Sequence, residues 1–316
     1  MAGTVIAAAI YVVSESSAAE GRQHYDIPGA LTVTLGVVSL VYAFTRAGTD
    51  GWGSTTTVAL LAASVILLAA FVAIEVRTAY PLLPLRVVLD RNRGGSYLTS
   101  LLIGMTLVAM FLFLTYYFQG TLHYSALRSG FAFLPFSLGV IMSAGVAARL
   151  LPRSGPRVLM VIGMIMAAVG LALLTRIGAH TGYLSHILTA EIVISLGGGL
   201  VFVALSSTAL IGVADADAGV ASALVNTTQQ VGGSLGVALL STVAGTATAN
   251  YLTAHGATTV TRAAAIVHGY TMAFAFSAVL LGVGAVAALL LVRANRNDVA
   301  ATEEVTSPSP RRNVDA

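Results

Sequence analysis

The sequence predicts an all-α membrane protein with about eight transmembrane helices, and three observations point there. Only 9% of the 316 residues are charged while 57% are hydrophobic. A soluble domain carries about 25% charged residues to cover its water-facing surface. Eight apolar runs, at 27–44, 57–74, 97–117, 130–150, 158–176, 187–213, 220–244 and 269–292, each approach or exceed the ~20 residues that cross hydrocarbon as a helix. Their apolar residues are continuous rather than alternating, which favours helices over the strands of a membrane barrel.

Taken in order, the chain begins with a shorter apolar run at 5–13. As a helix it spans about 14 Å, against about 30 Å for a bilayer core. No basic residue precedes it, unlike a secretory leader. It reads as the remnant, over 1–13, of a preceding transmembrane helix. The next two runs make a helix pair over 27–76, followed by a cytoplasmic linker at 77–96, "RTAYPLLPLRVVLDRNRGGS". The six runs over 97–292 come as three, a short loop near 178–186, then three more. That rhythm fits a three-plus-three inverted repeat. Pro135, in "FAFLPFSLG", is expected to kink the fourth run and free a carbonyl. The tail at 293–316 is polar, carries Ser-Pro-Ser-Pro, and is expected to be disordered.

All 16 basic residues are arginine. They sit singly between apolar runs, a pattern of membrane topology rather than of a nucleic-acid surface. If the C-terminus is cytoplasmic, the inner segments carry Arg22, Arg77, Arg86, Arg91, Arg93, Arg149, Arg153, Arg157, Arg293, Arg296, Arg311 and Arg312. The outer segments carry only Arg46, Arg128, Arg176 and Arg262. This asymmetry is the positive-inside signal, and it predicts a multi-pass plasma-membrane protein with its C-terminus inside. The chain has no cysteine, hence no disulfide frame and no thiolate metal site. His24, His123, His180, His186 and His255 fall in loops or at run edges, without metal-ligand spacing, and H-E-x-x-H is absent. No metal and no cofactor is implied.

The seventh run contains "NTTQQVGGSLGVALL". On a helix, Asn226, Gln229, Gln230 and Gly233 share one face, and Gln230 lies roughly 15 Å deep. An unpaired amide facing lipid costs about 2–7 kcal/mol. The stripe therefore lies against protein, as interhelical hydrogen-bonding, or lines a cavity. Gly232, Gly233 and Gly236 read as close-approach positions between helices. Gly232 to Gly236 also spells G-x-S-x-G, but a nucleophile elbow needs a strand before the turn. An intramembrane serine protease would pair Ser234 with His268, and these residues are poorly matched in depth.

Glu191 is the acidic residue placed well inside an expected run. Intramembrane carboxylates are costly, and their default reading is functional; this one suits proton binding and release. The other reading is a carboxylate hydrogen-bonded or snorkelling near the interface. Glu191, Ser195, Gly198 and Phe202 fall on one side of the helix. "EIVISLGGGLVF" also holds Gly197, Gly198 and Gly199, a packing notch or bend rather than a phosphate loop, since no strand precedes it. The third run ends in Tyr116, Tyr117, Phe118 and Gln119. These form either an interfacial aromatic belt or, with Met105 and Met110, the wall of a cavity for flat hydrophobic cargo.

"DIPGALTVTLGVVSLVYAF", "FVAIEVRTAYPLLPLRVVLDRNR", "YYFQGTLHYSALRSGFAFLPFSLG" and "AGVASALVNTTQQVGGSLGVALLSTV" resemble the fourteen-helix drug:proton antiporters of the major facilitator superfamily. The resemblance covers about 25–292 and matches the second part of such a transporter: two extra central helices, then the six-helix C-terminal half. The family's N-terminal half, with its antiporter motif and main cytoplasmic-loop motif, has no counterpart here. The related loop "GVAARLLPRSGPRVLM" keeps Gly145, Gly155 and Arg157 but has Arg149 where that motif has an aspartate.

The resemblance implies proton-driven export of hydrophobic or cationic small molecules across the lipid bilayer. It implies no enzyme activity and no catalytic residue. It places Glu191 as proton-coupling candidate, and Met105, Tyr116, Gln119, Ser195 and Phe202 as substrate-cavity candidates. Asn226, Gln229 and Gln230 would lie between the halves. With the family's N-terminal half absent, the chain is expected to be inactive alone: either a truncated gene product or one that needs a separately supplied N-terminal half. A permease for another metabolite on the same fold, the Ser234 protease and a purely structural partner are the alternatives.

Overall fold

A computed structural model describes residues 26–78, 81–83, 88–213, 215–296 and 298. The remnant helix expected over 1–13 and most of the expected tail lie outside these residues. The regular structure among the described residues is helical. It comprises α1 (Ile27–Asp50), α2 (Thr55–Arg77), α3 (Arg91–Tyr116) running into a π turn (Tyr117–Thr121), α4 (Ala126–Ala132), α5 (Leu134–Ser154) and α6 (Pro156–Leu174). A second π turn (Tyr183–Ile187) leads into α7 (Leu188–Leu210), followed by α8 (Asp215–His255) and α9 (Thr259–Leu291). With α4 and α5 taken together, eight segments are long and apolar enough to cross a membrane.

Short polar side chains start several of these helices by accepting from backbone N–H groups that have no intrahelical partner. Asp26 accepts from Gly29 N at 2.9 Å, and Ser54 accepts from Thr57 N at 3.2 Å. Asp90 accepts from Asn92 N and Arg93 N, both at 3.1 Å. That cap lets α3 begin at Arg91, inside the stretch read as linker, despite Gly94 and Gly95. Thr258 and Thr261 close a reciprocal capping box at the head of α9.

The fourth run is interrupted near the proline, as expected: α4 and α5 meet at Phe133, the Ala132 carbonyl accepts from a side chain, and Pro135 lies in the first turn of α5, where its missing N–H costs nothing. The last two helices overrun their expected bounds, 220–244 and 269–292. At about 1.5 Å per residue α8 runs some 60 Å, about twice a bilayer core. The threonine-rich stretch between them reads as a loop but is compatible with helix. The chain reverses at Gly256, where φ is +78°, a left-handed conformation that favours glycine.

In a membrane the helices gain little by hiding apolar surface from equally apolar lipid, so close packing and hydrogen bonds hold them. The pairs α3–α8, α6–α7, α5–α7, α6–α9 and α8–α9 form the six-helix body, while α1 and α2 pack on each other and α1 reaches α8. A side chain at Gly232 would strike the Leu101 carbonyl, at Gly236 the Met105 carbonyl, and at Gly104 the Gln229 carbonyl. Gly163 and Gly197 face each other's carbonyls across α6–α7, and a Cβ at Gly199 would come within 2.6 Å of the Val140 carbonyl. Serines add crossing bonds. Ser100 Oγ donates to the Val225 carbonyl at 2.7 Å, Ser64 Oγ to Gly36 at 2.9 Å, and Ser143 Oγ to Leu196.

The triple glycine is not uniform. A Cβ at Gly198 would meet only Val140 Cγ2, at 4.0 Å. Gly198→Ala is therefore expected to keep the thermal midpoint or raise it, by up to about 1 kcal/mol of helix propensity. Gly199→Ala is expected to lower it. Thermal unfolding of the two purified variants checks this.

Candidate functional site: a buried carboxyl and its tyrosine

Glu191 lies in the first turn of α7 and is fully buried. The π turn before α7 brings Tyr183 alongside it. The Tyr183 hydroxyl lies 3.1 Å from Glu191 Oε2 and 2.7 Å from the Ala132 carbonyl. Ala132 ends α4, just ahead of the Pro135 break, where a helix's last carbonyls lack N–H partners. Glu191 Oε1 is buried with no hydrogen-bond partner.

Counting donors shows what this arrangement can do. Tyr183 has one proton and two acceptors. With Glu191 ionised, the proton serves either the carboxylate or the Ala132 carbonyl. With Glu191 protonated, the acid O–H can donate to the phenol oxygen while the phenol donates to Ala132. One added proton completes the set, and the position of the Tyr183 proton then links Glu191 to the α4–α5 break.

Aromatic rings wall this site. Tyr183 meets Phe118 edge-on at 5.8 Å between centroids, and Phe118 lies 5.3 Å from Phe133. Phe111 lies 5.1 Å from Phe133 and 4.9 Å from Phe136. The Tyr117 hydroxyl faces the Gly178 and Thr181 carbonyls, both at 2.8 Å. The π turn thus divides the third run: Tyr117 and Phe118 are fully buried, while Tyr116 and Gln119 are exposed.

The five cavity candidates do not share one cavity here. Met105 is a core residue. Tyr116 lines a depression of about 500 Å³ with Tyr270, His123 and His180, and Gln119 is not among its lining residues. Ser195 is buried against Gly139, with its Oγ donating to the Ile192 carbonyl at 2.9 Å. Phe202 is 56% exposed and shares a shallow depression of about 100 Å³ with Ser206 and Asn226.

The polar stripe of α8 also divides. Asn226 and Gln230 are exposed and Gln229 is half-buried. Gly233, expected on their face, is buried, and a Cβ there would meet Val108 Cγ2 at 2.8 Å. Glycines and amides therefore occupy neighbouring faces: one meets α3 and the other is uncovered.

Ser234 donates to the Gln230 carbonyl at 3.1 Å. His268 packs 5.1 Å from the ring of Tyr251, about 25 Å along α8 from Ser234. They do not form a nucleophile–base pair. Ser234→Ala is expected to leave folding and any transport within twofold of wild type, measured side by side.

Sequence reasoning missed Tyr183, which lay in the stretch read as an outer loop, and Glu75, just beyond the expected end of the second run. Glu75 is 4% exposed within α2, and its Oε2 accepts from Leu83 N at 3.1 Å.

Comparison with known proteins agrees with this architecture. The profile of the Major Facilitator Superfamily matches residues 1–237, and the chain belongs to that superfamily. It is 46% identical over 291 residues to the puromycin resistance protein pur8 of Streptomyces alboniger, covering 90% of this chain and 58% of that protein. It is 37% identical to the cephamycin export protein CmcT of Amycolatopsis lactamdurans, covering 72% of this chain and 47% of that protein. It is 30% identical to the lincomycin resistance protein of Streptomyces lincolnensis, covering 75% and 49% respectively. The chain thus spans about half the length of these curated relatives, which are antibiotic resistance and export proteins by name. They point to a membrane transporter of small molecules rather than an enzyme.

Proposed function

We propose that the chain acts as the C-terminal part of a proton-coupled multidrug efflux transporter, working by alternating access with an N-terminal half. The observation that carries the proton coupling is the buried Glu191, held by Tyr183 against the Ala132 carbonyl. Intramembrane carboxylates in transporters commonly mark proton relays. Here the relay adjoins a helix break, the kind of irregular backbone on which transporters build their sites. The names of the relatives support a drug-like, hydrophobic or cationic cargo.

In this reading the C-terminus is cytoplasmic, as the arginine asymmetry indicates, and the protein resides in the plasma membrane. The exposed amides Asn226 and Gln230, with Phe202 beside them, face the N-terminal half. Polar groups left uncovered at such depth need a protein or water partner.

The test is a drug-accumulation assay. The chain is expressed alone, and also fused behind the N-terminal half of the puromycin resistance protein. The fused protein is expected to lower puromycin accumulation in cells, an uncoupler is expected to reverse that, and the chain alone is expected to have no effect. Export by the fusion that persists without a proton gradient would refute proton coupling, and export by the chain alone would refute the need for a second half.

A further inference from the structure

Where α6 begins and α9 ends, the helices leave a notch of about 450 Å³. Ser154, Arg157 and Asn295 line its polar side, and Val158, Ile162 and Leu289 its apolar side. Those three apolar side chains are 45%, 45% and 46% exposed, so the apolar wall continues into the surface that meets lipid tails. The polar wall lies at the helix ends.

Arg157 is short of acceptors. Its Nη2 donates to the Leu289 carbonyl at 2.5 Å, while its Nε is buried with no partner. The start of α6 has Pro156 in its first turn and no side-chain cap, so its N–H groups and positive dipole end are not neutralised. Arg149, Arg153, Arg293 and Arg296 are exposed nearby in the sequence. Asp298 accepts from the Asn295 N–H at 2.7 Å.

We propose that this notch binds one anionic phospholipid, its phosphodiester on Arg157 and the start of α6, its acyl chain along Val158, Ile162 and Leu289. The chemistry required is a phosphate joined to an apolar tail. The phosphate answers the Arg157 guanidinium lining the notch beside a helix start without a side-chain cap, where oriented N–H groups favour anions. The tail answers an apolar wall that runs on from the polar one. Basic pockets between transmembrane helices recognise anionic headgroups in this way. The site stands independently of the transport reading; only its assignment to the cytoplasmic leaflet rests on the orientation proposed above.

The test uses the full chain purified in neutral detergent. Its thermal midpoint is followed during titration with short-chain phosphatidylglycerol, with phosphatidylcholine of equal chain length, and with inorganic phosphate. Phosphatidylglycerol is expected to raise the midpoint saturably, with one lipid per chain by native mass spectrometry, and phosphatidylcholine is not. Arg157→Gln is expected to weaken phosphatidylglycerol binding about tenfold, as for the loss of one charge-assisted pair. Val158→Trp, which fills the exposed apolar wall and spares the Leu289 contact, is expected to do the same, and decides the matter should Arg157→Gln not fold. Arg262→Gln, at the other end of the helices, is expected to bind as wild type. Equal response to the two lipids, or unchanged phosphatidylglycerol binding by Val158→Trp, would overturn the proposal. Saturation by inorganic phosphate at the same concentration as phosphatidylglycerol would also overturn it, by showing a phosphate site without a lipid.

Discussion

Glu191→Gln, introduced into the transporter assembled from this chain and an N-terminal half, is expected to reduce uphill drug export to background while leaving the protein folded in the membrane. The amide keeps the shape of the acid, and its NH₂ can donate to the Tyr183 oxygen, so the phenol still serves Ala132 at 2.7 Å. The variant thus resembles the proton-bound arrangement but cannot release a proton. Energy-independent exchange of drug across the membrane is expected to persist, since it needs no proton release. Uptake of labelled puromycin into everted vesicles, with and without a pH gradient, separates the two activities. Tyr183→Phe makes a useful contrast. It removes the one proton that the Ala132 carbonyl and Glu191 Oε2 compete for, at about 1–3 kcal/mol for the buried acceptor left unpaired, so it is expected to lower stability as well as export.

The other large effect is expected at the α3–α8 contact. Gly232→Val and Gly236→Val each drive a branched side chain into a backbone carbonyl, that of Leu101 or Met105. A carbonyl fixed in a helix cannot rotate away, so the helices must separate, which also stretches the Ser100–Val225 bond of 2.7 Å. Overpacking of this kind costs about 1–3 kcal/mol per site, against a total stability of about 5–15 kcal/mol. Each single variant is expected to show a clearly lowered thermal midpoint, and the double variant to give little monodisperse protein on gel filtration. Gly245→Ala, on the same helix where a Cβ meets nothing within 4 Å, is expected to be neutral or slightly stabilising. If Gly232→Val and Gly236→Val behave like Gly245→Ala, close backbone approach is not what holds α3 to α8.

The sequence made the number and approximate position of the spans legible because hydrocarbon imposes one requirement on every run, twenty or so apolar residues without a break. It also marked Glu191, because a carboxyl inside such a run is costly, although the same letter also reads as a hydrogen-bonded or snorkelling carboxylate near the interface. Helix ends were less legible. The residues between the last two spans, "GTATANYLTAHGATTVTRAAAIVHG", are too polar to count toward a span yet free of anything that stops a helix before Gly256. Hydropathy therefore ended two helices that the backbone continues. Tyr183 was hidden for a related reason. Its approach to Glu191 depends on a π turn, which has no clear sequence signature, and its second partner is a carbonyl, which carries no letter of its own. The α8 stripe shows the limit of helical arithmetic. Gln229, Gln230 and Gly233 lie close enough in angle to be read as one face, yet the boundary between the α3 contact and the uncovered surface runs among them.

The central claim is that drug movement through this chain and its N-terminal half is tied to proton movement through Glu191. Proteoliposomes containing the assembled transporter and a trapped pH indicator test it directly. With an imposed pH gradient, adding puromycin is expected to speed the collapse of that gradient, and Glu191→Gln is expected to leave the gradient decaying at the rate of empty liposomes. Puromycin transport with no accompanying proton flux, or proton flux in Glu191→Gln equal to that of wild type, would contradict it.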